Sequence, residues 1–112
     1  MTEMTFSIAK SFSLSPGPRY SRQGPYSGEA LRKLLARKLK SIQGSIRIVL
    51  DGTRGYGSSF LDEAFGGLIR SEHITREEVL RRLEFVSEMD ASYIEEIMES
   101  INKAVPETIT AQ

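Results

Sequence analysis

Cysteine is absent from this chain and histidine occurs once. Without cysteine there can be no disulfide framework and no thiolate metal site. A single imidazole cannot supply the multi-histidine sets that hold catalytic zinc. No stretch approaches the roughly 20 apolar residues of a membrane span, and the opening MTEMTFSIAK lacks the apolar core of a secretory signal. These absences predict a cytoplasmic protein with no metal, no cofactor and no membrane to bind.

What is present fits one domain. A chain of 112 residues can bury one core but not two. Its 39% hydrophobic and 27% charged residues are ordinary for a globular protein. The formal net charge of zero hides an asymmetry. Residues 1–50 hold nine Lys/Arg against Glu3 and Glu29, a net +7, while residues 51–112 hold six against thirteen Asp/Glu, a net −7. Such a division marks an anion-binding face, a head-to-tail partner surface, or two solvated faces that merely differ in sign.

The chain alternates strand and helix signals. Phe6, Ile8, Phe12 and Leu14 alternate with small residues from Thr5 onward, interrupted where Lys10 falls on the apolar side, which predicts a half-buried strand or short hairpin over 5–14. SPGPRYSRQGPYSG holds three of the four prolines and predicts a long loop over 14–27, functional or mobile. Ser27 then caps a helix to about Ser41, with Leu31, Leu34, Leu35, Leu39 and Ile42 on one stripe. Gly44 ends it. Ile46, Ile48, Val49 and Leu50 form a central buried strand that finishes at Asp51. Gly52, Gly55 and Gly57 turn the chain into a helix capped by Ser59, with Asp62 as its capping-box partner. Gly66 and Gly67 inside that helix cost about 1 kcal/mol each relative to alanine, so a neighbour must approach closely there. Thr75 opens a short helix through Arg82, Leu83–Ser87 is a strand, and Asp90 caps a last helix striped by Ile94, Ile97, Met98 and Ile101. Glu95, Glu96 and Glu99 face outward, and the tail over 106–112 frays. Strands alternating with helices predict an α/β fold, its mainly parallel or mixed sheet of three to four strands covered by helices.

Chemistry concentrates beyond the central strand. Ser58 and Ser59 at a helix N-terminus are candidates for phosphorylation or anion binding, because the helix dipole favours added negative charge there. A capping role for Ser59 is the plainer alternative. A serine hydrolase needs a G-x-S-x-G elbow and a base; YGSSF is not that elbow, and His73 falls in a turn between helices. An acyl-transfer enzyme built on Ser59 lacks its base for the same reason, so the chain is not expected to be an enzyme. Asp51, Asp62 and Glu63 form a weak Mg²⁺ or receiver-type set, since the first strand brings no acidic pair; Asp51 is expected to accept N–H bonds within the glycine turn. Arg19, Arg22 and Arg54 can form an anion-binding concavity, although no P-loop sequence is present. The basic helix carries no nucleic-acid motif and the acidic half repels phosphate, so nucleic acid is not expected as a partner.

DGTRGYGSSFLDEAFGGLIR resembles the signature of a bacterial and phage family, the STAS-like domains of unknown function. There a strand ending in Asp precedes a Ser-Phe-x-(Asp/Glu)-Glu-x-(Phe/Leu)-Gly segment, matched here by Asp51, Ser59, Phe60, Asp62, Glu63, Phe65 and Gly66. PGPRY and GPYSGEALRKLL are similar to one branch of the family. The resemblance implies a STAS-like fold and a likeness to anti-sigma-factor antagonists, in which a serine opening this helix is phosphorylated and switches partner binding. It implies Ser59, with Ser58 beside it, as the phosphoacceptor, and a histidine-kinase-like ATPase or other signalling protein as partner. In the antagonists the serines follow the aspartate directly in an Asp-Ser-Ser-Gly run, whereas here residues 52–57 intervene and Phe60 replaces the glycine. The functional expectation is a non-enzymatic regulatory and interaction module, with small-ligand or nucleotide binding through the loop arginines as the alternative.

Overall fold

Ile46 and Ile48 are wholly buried while Arg47 between them is exposed, the period-two pattern of a strand with one face in the core. This strand, β2 (Ser45–Val49), is the middle of a three-stranded sheet. The computed structural model describes residues 2–108. β1 (Thr2–Ser7) and β3 (Leu83–Val86) flank β2, and both pair with it in parallel. The register aligns Phe6, Ile48 and Phe85 in one row toward the core. Thr5, Arg47 and Glu84 form a row on the other face, where all three are exposed and Arg47 Nε donates to Glu84 Oε1 at 3.1 Å. The expected α/β class and parallel sheet are observed.

The first strand is shorter than its alternation predicts. It stops at Ser7, whose hydroxyl accepts from Lys10 N at 3.2 Å and caps a single helical turn, α1 (Ile8–Ser11). Ile8 and Phe12 stand four apart, a spacing that suits a helical turn as well as a strand.

The 14–27 segment is tied down by its own backbone. Gly17 N donates to Tyr26 O at 2.8 Å, and the carbonyls of Pro18 and Arg19 accept Gly28 N and Glu29 N at 2.9 Å each. Ser27 Oγ accepts Ala30 N at 3.0 Å. The loop thus satisfies the free N–H groups that open α2 (Gly28–Ser41). Gly28 lies so close to the next helix that a Cβ there would stand 2.6 Å from Phe60 O.

Helix α3 covers residues 58–70 and is not uniform. An α-turn, Ser58–Leu61, passes into a π-turn, Asp62–Gly66, and returns to α at Gly67–Arg70. Gly66 and Gly67 meet the close neighbours their cost implies: a Cβ at Gly67 would lie 2.7 Å from Arg32 Cδ, and one at Gly66 would lie 3.3 Å from Ser100 O. Residue 32 belongs to α2 and residue 100 to α5 (Ser92–Lys103), so α3 is held between those two helices.

The short α4 (Arg76–Arg82) is capped by Thr75 as expected, with Oγ1 accepting Glu78 N at 3.1 Å. Its arginines close two other helices. Arg82, buried, donates to Ile42 O at 2.6 Å and Gly44 O at 3.1 Å, beyond the end of α2. Arg76 donates to Ile101 O at 3.1 Å and Ala104 O at 2.6 Å, at the end of α5. Both place a cation where a helix leaves carbonyls unpaired. Asp90 stands one residue before the last helix's cap, Ala91, and its carboxylate accepts from Ser92 N at 2.9 Å. The tail is not frayed directly after Pro106, because Glu107 N donates to Arg70 O at 2.9 Å. Residues 109–112 of that expectation lie outside the described residues.

Candidate functional site

Parallel strands bring all their carboxyl ends to one edge of the sheet, and the loops after β2 and β3 meet there. Asp51, the second residue after β2, fastens them together. Its carboxylate accepts Met89 N at 2.8 Å and Glu88 N at 3.0 Å, so its backbone partners belong to the loop after β3 and not to the glycine turn. Those bonds from Glu88 and Met89 hold the carboxyl below its ordinary range. Gly52 and Gly55 take φ of 96° and 121°, values a side chain disfavours.

Tyr56 seals the underside of this loop. Its hydroxyl donates to Leu50 O at 2.7 Å, and its ring meets Tyr93 edge-on at 4.9 Å and Phe60 at 5.8 Å. Burial pushes the phenol up to about 12. The loop borders a cavity of about 240 Å³, lined among others by Asp51, Thr53, Arg54, Ser87, Asp90 and Tyr93.

The serines open onto a second, larger cleft of about 540 Å³ between α3 and α5, lined by Arg19, Ser58, Ser59, Asp62, Glu96, Glu99, Ser100 and Lys103. The helix begins two residues earlier than the capping argument predicts. Gly57 is its N-cap, and neither serine hydroxyl caps the first turn. Ser58 Oγ donates across the cleft to Glu96 Oε1 at 2.5 Å. Ser59 is exposed, and its hydroxyl takes no hydrogen bond among the described residues. Asp62 is therefore not a capping-box partner. Instead it accepts from Arg19 Nη1 at 2.9 Å and from Arg70 Nη2 at 3.1 Å. Burial raises its pKa, but the Arg19 and Arg70 contacts outweigh that and leave the carboxyl below its ordinary range.

Glu63 is 4% exposed and cannot meet a partner. It pairs with Arg32 and with Arg19 at 3.3 Å, and Arg70 approaches to 3.7 Å. Arg32 also reaches Glu72 at 2.9 Å. Three arginines and three carboxylates thus close a neutral network through the middle of the molecule, joining the basic and acidic halves of the chain. The structure does not gather the three loop arginines. Arg19 belongs to this network, Arg54 donates to Ser15 Oγ at 2.8 Å, and Arg22 lies over the Tyr20 ring at 5.1 Å. His73 is exposed at φ 56° in the turn after α3. Asp51, Asp62 and Glu63 do not converge on a cation, and no metal-holding group of three or more His, Asp or Glu occurs among the described residues.

Residues 27–92 match the family described as a STAS-like domain of unknown function (DUF4325). The chain belongs to that family. No curated protein and no solved structure matches it. The matched span of the STAS-like domain contains Asp51, both serines, Asp62 and Glu63, while Arg19 and Arg22 precede it. No helix among its described residues is long and apolar enough to cross a membrane. Two contributors to the site escape a reading by sequence. Glu96 looks like any outward glutamate of α5, and Tyr56 like a loop residue; the rings that bury it, Phe60 and Tyr93, come 4 and 37 residues later in the chain.

Proposed function

We propose that this STAS-like domain is a non-enzymatic regulatory module that binds a protein partner through the 52–57 loop and the Ser58–Ser59 end of α3, with phosphorylation of Ser59 as the switch. The observation that supports it is the free, exposed Ser59 hydroxyl on the rim of the larger cleft. Arg19 and Lys103 line the same cleft; each is paired with a carboxylate, Asp62 and Glu99, that a phosphate on Ser59 would have to displace. The first turn of α3 adds its unpaired N–H groups. Ser58 is the poorer acceptor, since Glu96 already holds its hydroxyl and repels added negative charge. A histidine-kinase-like ATPase of the bacterial cytoplasm is the partner class this reading favours, as phosphoryl donor and as docked protein. Pull-downs from source-cell lysate with wild type, Ser59→Ala and Ser59→Glu as baits test it. A protein retained by Ser59→Ala and lost from Ser59→Glu supports the switch; identical partners on all three baits remove it.

A second reading rests on Arg54. It borders the smaller cavity at the carboxyl ends of β2 and β3, where open α/β sheets bind ligands. In this reading the domain takes a small anion or nucleotide there. Calorimetric heat with a nucleotide at low salt, abolished by Arg54→Ala, supports it, and absence of heat from the wild type ends it.

A further inference from the structure

Helices α2 and α5 flank α3, and each turns an outer face to solvent. On α2, Lys33, Arg37 and Lys40 are all exposed at positions i, i+4 and i+7, one continuous stripe opposite the buried Leu31, Leu35 and Leu39. The helix's other arginine, Arg32, is drawn inward by Glu63 and Glu72. Among the described residues, Glu29 at 3.2 Å from Lys33 is the only carboxylate that meets this stripe, and Arg37 and Lys40 take none. On α5, Glu95 and Glu99 are exposed at i and i+4, and Lys103, 3.4 Å from Glu99, is the helix's only cation. The internal network consumes charges of both signs in equal number. Outside that network α2 carries a basic stripe on one flank and α5 an acidic one on the other, on a chain of formal net charge zero.

We propose that copies of this domain associate head to tail, the α2 stripe of one copy docking on the α5 stripe of the next. Zero net charge removes the long-range repulsion that keeps like molecules apart. The two stripes are different surfaces, so the contact is heterologous: docking one pair leaves a free basic flank and a free acidic flank, and growth continues beyond the dimer. A polyanion would satisfy α2 and be repelled by α5, whereas a second copy satisfies both. The inference does not rest on the Ser59 switch, since it needs neither phosphate nor a foreign partner, although Glu99 of the acidic stripe also lines the serine cleft.

Sedimentation velocity on the full chain tests it. Lowering salt from about 0.1 M to about 0.01 M extends the screening length from about 10 Å to about 30 Å. At low salt the average mass should rise with concentration past that of a dimer, and association should weaken at least about tenfold at the higher salt. The double variants Arg37→Gln/Lys40→Gln and Glu95→Gln/Glu99→Gln should each remain monomeric. Their mixture should form a 1:1 pair that grows no further, because each supplies one intact stripe; recovery of that pair also shows that both variants fold. A wild type that stays monomeric at every concentration and low salt overturns the proposal. So does an oligomer that persists in either double variant, or a mixture that forms no pair.

Discussion

Arg32 on α2 holds the buried carboxylate of Glu63 on α3, and the same guanidinium reaches Glu72 through Nε at 2.9 Å. The basic and acidic halves of the chain are joined by this contact. The side chains of Arg32 and Glu63 are only 11% and 5% exposed, so removing one partner strands a charge away from water. Breaking a buried pair costs about 3–5 kcal/mol. Since Arg19 and Arg70 still reach Glu63, Arg32→Met should cost about 3 kcal/mol, read as a lower urea midpoint at unchanged slope.

Gly28 sets two opposing effects against each other. Alanine gains at most about 1 kcal/mol of helix propensity over glycine. Its Cβ, however, would lie 2.6 Å from Phe60 O and 3.0 Å from Glu63 Cβ. The first of these is backbone, which yields less readily than a flexible side chain, and overpacking costs about 1–3 kcal/mol. Gly28→Ala should therefore lower the thermal midpoint. An unchanged or higher midpoint would mean that α2 and α3 can separate freely.

Tyr56 should titrate late. Its phenol is pushed up to about 12 by burial. The folded state then holds a proton that the unfolded state releases near pH 10, so this contribution to stability is complete below about pH 10 and is lost as pH rises toward 12. Ultraviolet titration should show one lagging phenolate, absent from Tyr56→Phe. That variant also forfeits the 2.7 Å bond to Leu50 O, a loss of about 1 kcal/mol.

The acid limb has the opposite sign. Asp51, Asp62 and Asp90 are each held below the ordinary carboxyl range: Asp51 by the amides of Glu88 and Met89, Asp62 by arginines that outweigh its burial, Asp90 by Ser92. Below about pH 4 the unfolded chain binds more protons than the folded one. Stability from these groups is complete above that value and is lost as pH falls through their folded-state pKa. Melting temperatures measured from pH 5 to pH 2.5 should fall steadily, and Asp62→Asn should flatten the slope.

These features differ in how far the sequence betrays them. The Ser27 and Thr75 caps, the strand at Ile46 and the stripes of α2 and α5 are local: each depends on residues within one or two turns, and each is observed. The helical turn after Ser7 is hidden because Ile8 and Phe12 suit both periods. The cap of α3 is displaced by two residues, from Ser59 to Gly57, because glycine competes with serine for the cap, and a π-turn has no signature in a 3.6-residue pattern. Glu63 is the clearest case of what cannot be read locally. Its partners Arg19 and Arg32 come from 44 and 31 residues away, so a charge that looks solvated in sequence proves to be the buried centre of the network. The two serines are legible as the opening of a helix beyond the central strand, but their different bonding is not, since Ser58's partner Glu96 is 38 residues distant.

The order β1-β2-β3 with every pairing parallel also governs how this domain comes into being. An antiparallel neighbour can zip from a two-residue turn, but a parallel one needs a whole crossover first. Neither edge of β2 has a hairpin to start from: β1 reaches it only across the 14–27 loop and α2, and β3 only across α3 and α4. The entropy of both closures must be met before the sheet returns any hydrogen bonds. Folding should accordingly be slower than for a helical bundle of this length. Until α2 and α3 are both seated, β2 lacks one or both of its neighbours, and the loops at its carboxyl end have no scaffold to stand on.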